Sequence, residues 1–445
     1  MRKVIVLAAT IAALAGSVAA HQAGVRTTVL PTSLVVRDVM LIDGSGGTPR
    51  PHVDIVVRNG KVDDIVPAAS SQEAAAADLV VNGRGLFAIP GLIDAHVHLS
   101  PAPLTERIAD LRRTLNGGVT AVFDLAGDLR ETSDLARMAI AGDIQAPAIY
   151  YAALMAGPAF FTDPRVVSSS LGFQPGEAPW AQQVTPETDM VRAVAAARGT
   201  GATALKLYAA LDPAAVRRIA DEGRKQGLRL VAHATVFPAK PSDLIAAGMN
   251  MLAHVAYLVW EGSPPTADFT RRATGDFAHV PPNAPEIERV LVSMLARNVS
   301  LNPTLWIFEQ GSGAQDEVAG VRTAWMNAVT RRAAEVGVPI VAGTDDMIDL
   351  ARDPLPILHR EIELLVSAAG LTPIQALLSA TKNAAAAIGV QKTRGTLEPG
   401  KVADIVLLEA NPAEDIRNTR KIRFVIKEGR VVFDAAESGG ARQPR

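Results

Sequence analysis

His96 and His98 stand one residue apart at the end of the apolar run GLIDAHVHL, residues 91–99. Side chains alternate along a strand, so both imidazoles face the same way and can reach one common ligand. Further along, His233 ends LRLVAHA, His254 ends MNMLAHV, Lys206 lies near the end of ATALKLY and Asp345 ends VPIVAGTD. Each has an ordinary use when taken singly. A histidine after a strand is a hydrogen-bonded core residue, an Asp in GTD caps a helix or forms a turn, and a lysine at a strand end snorkels. Together they say more, because four of the eight histidines fall beside short apolar runs, where an unpaired imidazole costs free energy to bury. Neutral imidazole plus carboxylate suits a borderline divalent cation such as zinc, whereas calcium and magnesium ask mainly for oxygen.

The elements that must carry these side chains follow a pattern. Strand-like runs recur at 119–126, 148–157, 202–208, 228–234, 249–255, 298–305 and 338–345 and, with the one that ends at His96, make eight. Amphipathic stretches such as TERIADLRRTLNGG, DPAAVRRIADEGRKQG and PEIERVLVSMLARN lie between most of them, opened by Thr, Asp or Pro as helices are. Strand and helix alternating eight times predict an α/β fold, a (β/α)8 TIM barrel. His96 to Asp345 spans the roughly 250 residues such a barrel needs. Its active sites form at the C-terminal ends of the strands, so all six polar groups are expected on one rim.

The flanks have another texture. Short β-branched runs occupy residues 34–89 and return in KVADIVLLEA and IRFVIKEGRVVF. Asn59-Gly60 and Glu428-Gly429 sit between strand-like runs as two-residue hairpin turns. The expected organisation is a small composite β-sandwich from residues 30–90 and 390–435 around a barrel of residues 91–389. The alanine-rich QEAAAAD joins two strands.

Composition narrows the function classes. The chain has 445 residues, 48% of them hydrophobic and 20% charged, enough to bury a large core. Lys plus Arg number 44 against 46 Asp plus Glu, and without a basic stripe no nucleic acid is expected as partner. No cysteine is present, which removes disulfides, thiolate catalysis and cysteine metal sites. Arg2 and Lys3, the apolar VIVLAATIAALAG and the small residues Val18, Ala19 and Ala20 have the form of a secretory signal over residues 1–20. An exported periplasmic or secreted protein is expected, with no stable membrane anchor once the signal is cleaved; assembly as a homo-oligomer is left open.

PGLIDAHVHL, the lysine of ALKLYAA, the histidines of VAHA and LAHV, and AGTDD resemble the metal-binding motifs of the amidohydrolase superfamily. VVRNGKVDDI and LEPGKVADIVLLE resemble its composite sandwich, so the likeness covers nearly everything after the signal, and it is nearest to the imidazolonepropionase and prolidase-like branch. The resemblance implies two divalent metal ions, zinc being expected. His96, His98 and Asp345 would hold one, His233 and His254 the other, and Lys206 would bridge them as a carbamate. An ammonium has no lone pair for a metal; burial beside cations lowers its pKa, and the free amine can take up carbon dioxide. A salt-bridged Lys206 above a one-metal site is the alternative, as in deaminase-like branches.

The implied reaction is hydrolysis by a metal-bridging hydroxide, with Asp345 taking the water proton and delivering it to the leaving nitrogen. The expected substrate is a small amide: a peptide, an N-acyl amino acid or a cyclic amide. A lactonase or phosphotriesterase with the same two metals, a one-metal deaminase and a non-catalytic binding protein are the alternatives. Tyr208 and His279 are the candidate substrate contacts by position; Tyr150, Tyr151, Trp260 and Trp306 are mostly packing, and Arg271 and Arg272 could grip a carboxylate, although an exposed pair of arginines is usually solvated surface. The loop AGPAFFTDPR lacks the histidine that prolidase-like relatives tend to carry there.

Overall fold

Runs of alternating β-branched residues cannot leave their backbone groups unpaired once buried, and here the two ends of the chain satisfy one another. The computed structural model describes residues 32–68, 77–99, 102–310, 317–346 and 354–438. Residues 1–20, read above as a signal, lie outside them, as does most of QEAAAAD.

The terminal runs form one eight-stranded sheet. Its order is Arg430–Asp434, Ile422–Lys427, Ile405–Leu408, Phe87–Pro90, Ser33–Leu41, Arg50–Arg58 and Lys61–Pro67, with Leu79–Asn82 also paired to Ser33–Leu41. Both expected hairpin turns are present. Asn59 and Gly60 have φ of 49° and 77°, and Glu428 and Gly429 have 50° and 74°, the left-handed pair that matches strand twist in a two-residue hairpin. Leu34, Val36, Ile55, Val57, Ile405, Leu407 and Ile426 form this sheet's own core.

Strand Phe87–Pro90 passes through Gly91 into the first barrel strand, Leu92–Val97. The barrel continues, each strand parallel to the last, through Val119–Asp124, Ala148–Ala156, Ala204–Leu207, Arg229–His233, Met251–Ala253 and Ser300–Asn302. The expected eighth strand is not regular. Residues 338–345 close the ring by scattered bonds: Leu301 N–H to Pro339 O and Val341 N–H to Leu301 O on one side, Ala95 N–H to Ala342 O and Thr344 N–H to His96 O on the other. Pro339 has no N–H to give, and Gly343 is pressed so close that a Cβ there would lie 2.8 Å from His96 Cβ. The barrel is therefore seven regular parallel strands and one irregular closing run.

Small side chains let the strands close tightly. Ala95, Ala121, Ala152 and Ala204 share one buried cluster with Phe123, Val231, Met251 and Val341, and helix Lys382–Ile388 packs onto it through Ala384, Ala385 and Ile388. Outside, helix Pro213–Lys225 buries Val216, Ile219, Ala220 and Gly223, the i, i+3, i+4, i+7 stripe of a helix lying on a sheet. Pro213 opens it, and the Asp212 carboxylate accepts from Ala215 N–H at 2.7 Å, a cap worth about 1 kcal/mol. Each fully buried Val or Ile on that stripe adds about 1.5–3 kcal/mol. No helix among the described residues is long and apolar enough to cross a membrane.

Candidate metal centre

The C-terminal ends of the strands bring five elements to one point. His96 lies in the first strand and His98 just beyond it, Lys206 in the fourth, His233 at the end of the fifth, His254 just after the sixth and Asp345 in the closing run. Asp345 Oδ1 is 3.0 Å from His96 Nε2 and 2.9 Å from His98 Nε2; its Oδ2 is 4.0 Å from His254 Nε2. Ligand atoms of His96, His254 and Asp345 all lie within 4.8 Å of one another. The His233 ring is 4.9 Å from the His254 ring, centroid to centroid. Four imidazoles, one carboxylate and one lysine are thus gathered on a buried rim.

Proton placement decides what this cluster can hold. His96 Nδ1 is 2.8 Å from Asn302 Oδ1, and the Asn302 amide nitrogen donates to Val341 O and Gly343 O at 3.1 and 3.0 Å. Asn302 Oδ1 can only accept, so His96 carries its proton on Nδ1. His98 Nδ1 is 3.0 Å from Ala126 O, again an acceptor only. His254 Nδ1 is 2.8 Å from Thr304 Oγ1, whose own proton goes to Pro303 O at 2.7 Å. His96 and His254, as neutral rings, therefore turn an Nε2 lone pair toward Asp345, while His98 Nε2 lies 2.9 Å from Asp345 Oδ1 and donates to it when that ring is protonated. Lone pair against lone pair is repulsive unless a cation stands among them. Each second nitrogen is fixed by a protein acceptor, the arrangement of metal-ligating histidines.

The electrostatics agree. Burial pulls His96 down to about 4 and holds His233 and His254 well below the usual imidazole range, so these rings stay neutral. Burial also opposes charge on His98, but the hydrogen bond and charge of Asp345 outweigh it, and His98 is shifted up: a positive charge is drawn to that spot. Burial raises Asp345, yet the neighbouring His96 and His254 overcome it and hold the carboxyl well below its usual range.

Lys206 is different in kind. It is fully buried, and Nζ has no hydrogen-bond partner among the described residues. Burial brings it down to about 7, against the pull of Asp345. A buried amine without a partner is costly, and an uncharged one is a nucleophile. His96, His254 and Asp345 thus fit a divalent metal, with His98 and His233 beside them and the unpartnered amine of Lys206 buried nearby.

Backbone conformation at the rim is held under constraint. His254, Thr304 and Asp345 have φ of 70°, 53° and 59°, a left-handed region that non-glycine residues seldom adopt. Asp94 holds the last of these, because its carboxylate accepts from Thr344 N–H, Thr344 Oγ1–H and His96 N–H. Asp124 does the same for the His98 side, accepting from Leu99 and Ala126 N–H.

Tyr208 lies at the centre, its ring 4.1 Å from His233 and 4.6 Å from Phe160. His279 does not join it: its side chain is 83% exposed and pairs with Asp276 at 2.8 Å. This is a local i, i+3 pair on the surface, and a place after the sixth strand carries no information about direction. Trp260 is packing, as expected, with its indole N–H on Arg272 O; Trp306 is buried, and its backbone N–H bonds the Glu361 carboxylate. Sequence reasoning passed over Asn302, Thr304, Asp94, Asp124 and Tyr257. The polar NPT after the seventh apolar run was the available signal for the first two. Of the two arginines, Arg271 is exposed and Arg272 stands near Tyr257, His233 and His254.

Comparison with known proteins places these observations. The family described as Amidohydrolase family matches residues 87–432. An imidazolonepropionase of Symbiobacterium thermophilum is 36% identical over 110 residues, 24% of this chain and 25% of that protein. An ochratoxinase of Aspergillus niger is 37% identical over 86 residues, 19% of this chain and 17% of that protein. The matched stretch thus spans about a quarter or less of these curated relatives. In fold, A. niger ochratoxinase superposes with a TM-score of 0.71 at 21% identity, covering 90% of this chain and 95% of that one. A Xaa-Pro dipeptidase structure with bound methionine gives 0.70 at 19% identity, covering 91% and 100%.

Proposed function

The chain belongs to the amidohydrolase family, and from that premise we propose that it is a metal-dependent hydrolase of amide and related C–N bonds. The observation that carries the reading is the proton arrangement of His96 and His254, whose Nδ1 protons go to protein acceptors so that two neutral Nε2 lone pairs face Asp345, with His98 Nε2 2.9 Å from the same carboxylate. His96, His98 and Asp345 would hold one divalent metal, zinc by donor type, and His233 and His254 a second. Lys206 supports the second metal. Its free amine adds to the carbon of carbon dioxide, forming an N–C bond and releasing one proton, and the resulting carbamate offers two oxygens where an unpartnered Nζ now stands. When bound, such metals lower the pKa of water toward neutrality and polarise the scissile carbonyl.

The chain's own residues do the rest. Asp345, kept ionised, accepts the proton of the attacking water as the new C–O bond forms, and passes it to the nitrogen as the C–N bond breaks. Burial pushes the Tyr208 hydroxyl up to about 12, so it remains a hydrogen-bond donor and can bind the substrate oxygen. Phe160, Phe269, Tyr257 and Phe308 wall the space with rings and exclude water from it.

The substrate class is an amide with a nearby carboxylate, such as a peptide or N-acyl amino acid. Arg165 is already occupied by Asp163 at 2.7 Å. Arg272 has no ion pair among the described residues; its guanidinium bonds Phe269 O and Tyr257. A cation at the mouth of a buried site suits an anionic substrate. Export, read from the leader alone, belongs to this proposal too.

Metal content of the purified chain and a panel of N-acyl amino acids, dipeptides, lactones and phosphotriesters test the reading together. Near two transition-metal ions per chain with amide turnover that chelation abolishes is the expected result. A chain free of metal, or one that hydrolyses only lactones or phosphotriesters, overturns it.

A further inference from the structure

Glu361, in helix Leu358–Ser367, carries a fully buried carboxyl group, and no cation pairs with it among the described residues. A fold that carries such a group meets a large desolvation cost unless the oxygens are bonded. Both are bonded, and to one place: Glu361 Oε1 accepts from Leu305 N–H at 3.0 Å and Oε2 from Trp306 N–H at 2.8 Å. These two donors immediately follow Thr304.

The turn so gripped contributes no candidate ligand, yet it decides the protonation of two. Asn302 Oδ1 takes the Nδ1 proton of His96, and Thr304 Oγ1 takes that of His254. Thr304 does this from φ of 53°, a conformation that a β-branched residue leaves unless its neighbours hold it. Pro303 O and Asn302 O also receive Val255 and His254 N–H at 3.3 and 2.9 Å, so the turn and the His254 backbone move as one. Freed from Glu361, Thr304 would relax, His254 Nδ1–H would lose its acceptor, and the ring could turn or change tautomer.

We propose that Glu361 is a positioning residue for the metal centre: by clamping Leu305 and Trp306 it holds Asn302 and Thr304 where they keep the Nε2 lone pairs of His96 and His254 aimed at Asp345. The inference rests on the reading that these histidines hold metal.

The test is the rate at which a chelator strips metal from the loaded protein near neutral pH, alongside melting temperature, for wild type and four variants. Glu361→Leu removes both acceptors, Glu361→Gln keeps one, Thr304→Val removes the hydroxyl at constant shape, and the fourth combines Glu361→Leu with Thr304→Val. Glu361→Leu and Thr304→Val should each release metal about 10- to 100-fold faster, with Glu361→Gln between them and wild type. The double variant should release it more slowly than the product of the two single effects predicts, since both act on His254. A Glu361→Leu protein that melts lower but keeps the wild-type release rate assigns Glu361 to stability alone and overturns the proposal. A fully multiplicative double variant does so as well. If Glu361→Leu does not fold, Glu361→Gln decides, and wild-type release from it is the negative result. A wild-type chain that takes up no metal removes the functional reading and this inference together; wild-type loading with unchanged release in the Glu361 variants removes the inference only.

Discussion

The two halves of the candidate metal centre are built in opposite ways. On one side His96, His98 and His254 are each tied by Nδ1 to a protein acceptor, and those acceptors are tied in turn through Asn302, Ala126 and Thr304. On the other side Lys206 Nζ has no partner among the described residues, and the His233 ring is held by packing against Tyr208, His254 and Tyr257. The difference separates two ways of preparing a site. The first half is complete before anything binds, so its binding energy is not spent on ordering side chains. The second is left unsatisfied and gains most from what arrives.

Asp345 touches the wired half directly and is the proposed proton carrier, so breaking it should have the largest effect. Asp345→Asn retains the shape but is a poor base; kcat/KM for the best amide substrate should fall by about 10²–10⁴ with an unchanged circular dichroism spectrum. Turnover within a few-fold of wild type would falsify the assignment.

The two halves should also respond to truncation with opposite sign. In metal-free protein Lys206→Met removes an unpartnered polar atom and keeps the volume, so stability should rise by about 1–3 kcal/mol while amide hydrolysis is lost. Asn302→Leu leaves the His96 Nδ1–H, Val341 O and Gly343 O unpaired and should lower stability by about the same amount or more. Chemical denaturation of both variants against wild type measures this; a shift of the same sign in both would erase the distinction.

A smaller effect concerns Glu361, the outermost support of the wired half. Burial raises it to about 8, against the two N–H bonds from Trp306 and Leu305, with Asp94 and Glu309 adding to the rise. The folded state therefore keeps a proton that the unfolded chain gives up near the ordinary glutamate value of about 4.5. Its contribution to stability is full below that value and is lost as pH rises through about 8. Melting temperature measured from pH 5 to 9 should fall less steeply in Glu361→Gln than in wild type, and parallel slopes would contradict the assignment.

What the sequence made legible was the half of the chemistry written in residue type and strand position. His96, His98, Lys206, His233, His254 and Asp345 could each be placed at a strand end by counting apolar runs, because the strand period and the barrel's polarity fix direction. The supports were not legible, since they cross the chain: His96 to Asn302 spans 206 residues, His254 to Thr304 spans 50, and Trp306 to Glu361 spans 55. His359 shows why histidine content alone is a poor guide. It too is buried, but Thr419 Oγ1 and Gly117 O satisfy both of its ring nitrogens at 3.0 and 2.9 Å, leaving no lone pair for a metal. His279 failed as a candidate for a related reason: position after a strand says nothing of which way a long loop turns its side chains. The eighth run closes the barrel where the apolar pattern placed it, but without a regular ladder, since Pro339 has no N–H to give and Gly343 packs tightly against His96.

The junction at Gly91 sets an order of events in biosynthesis. The strand that precedes it, Phe87–Pro90, pairs with Ile405–Leu408, and Gly91 N–H itself bonds to Asp404 O at 2.9 Å. As the ribosome makes the chain from its amino end, every candidate ligand has emerged before the segment that braces the base of the His96 strand is translated. Strand Phe87–Pro90 must therefore wait, with one edge open, until more than three hundred further residues have been added.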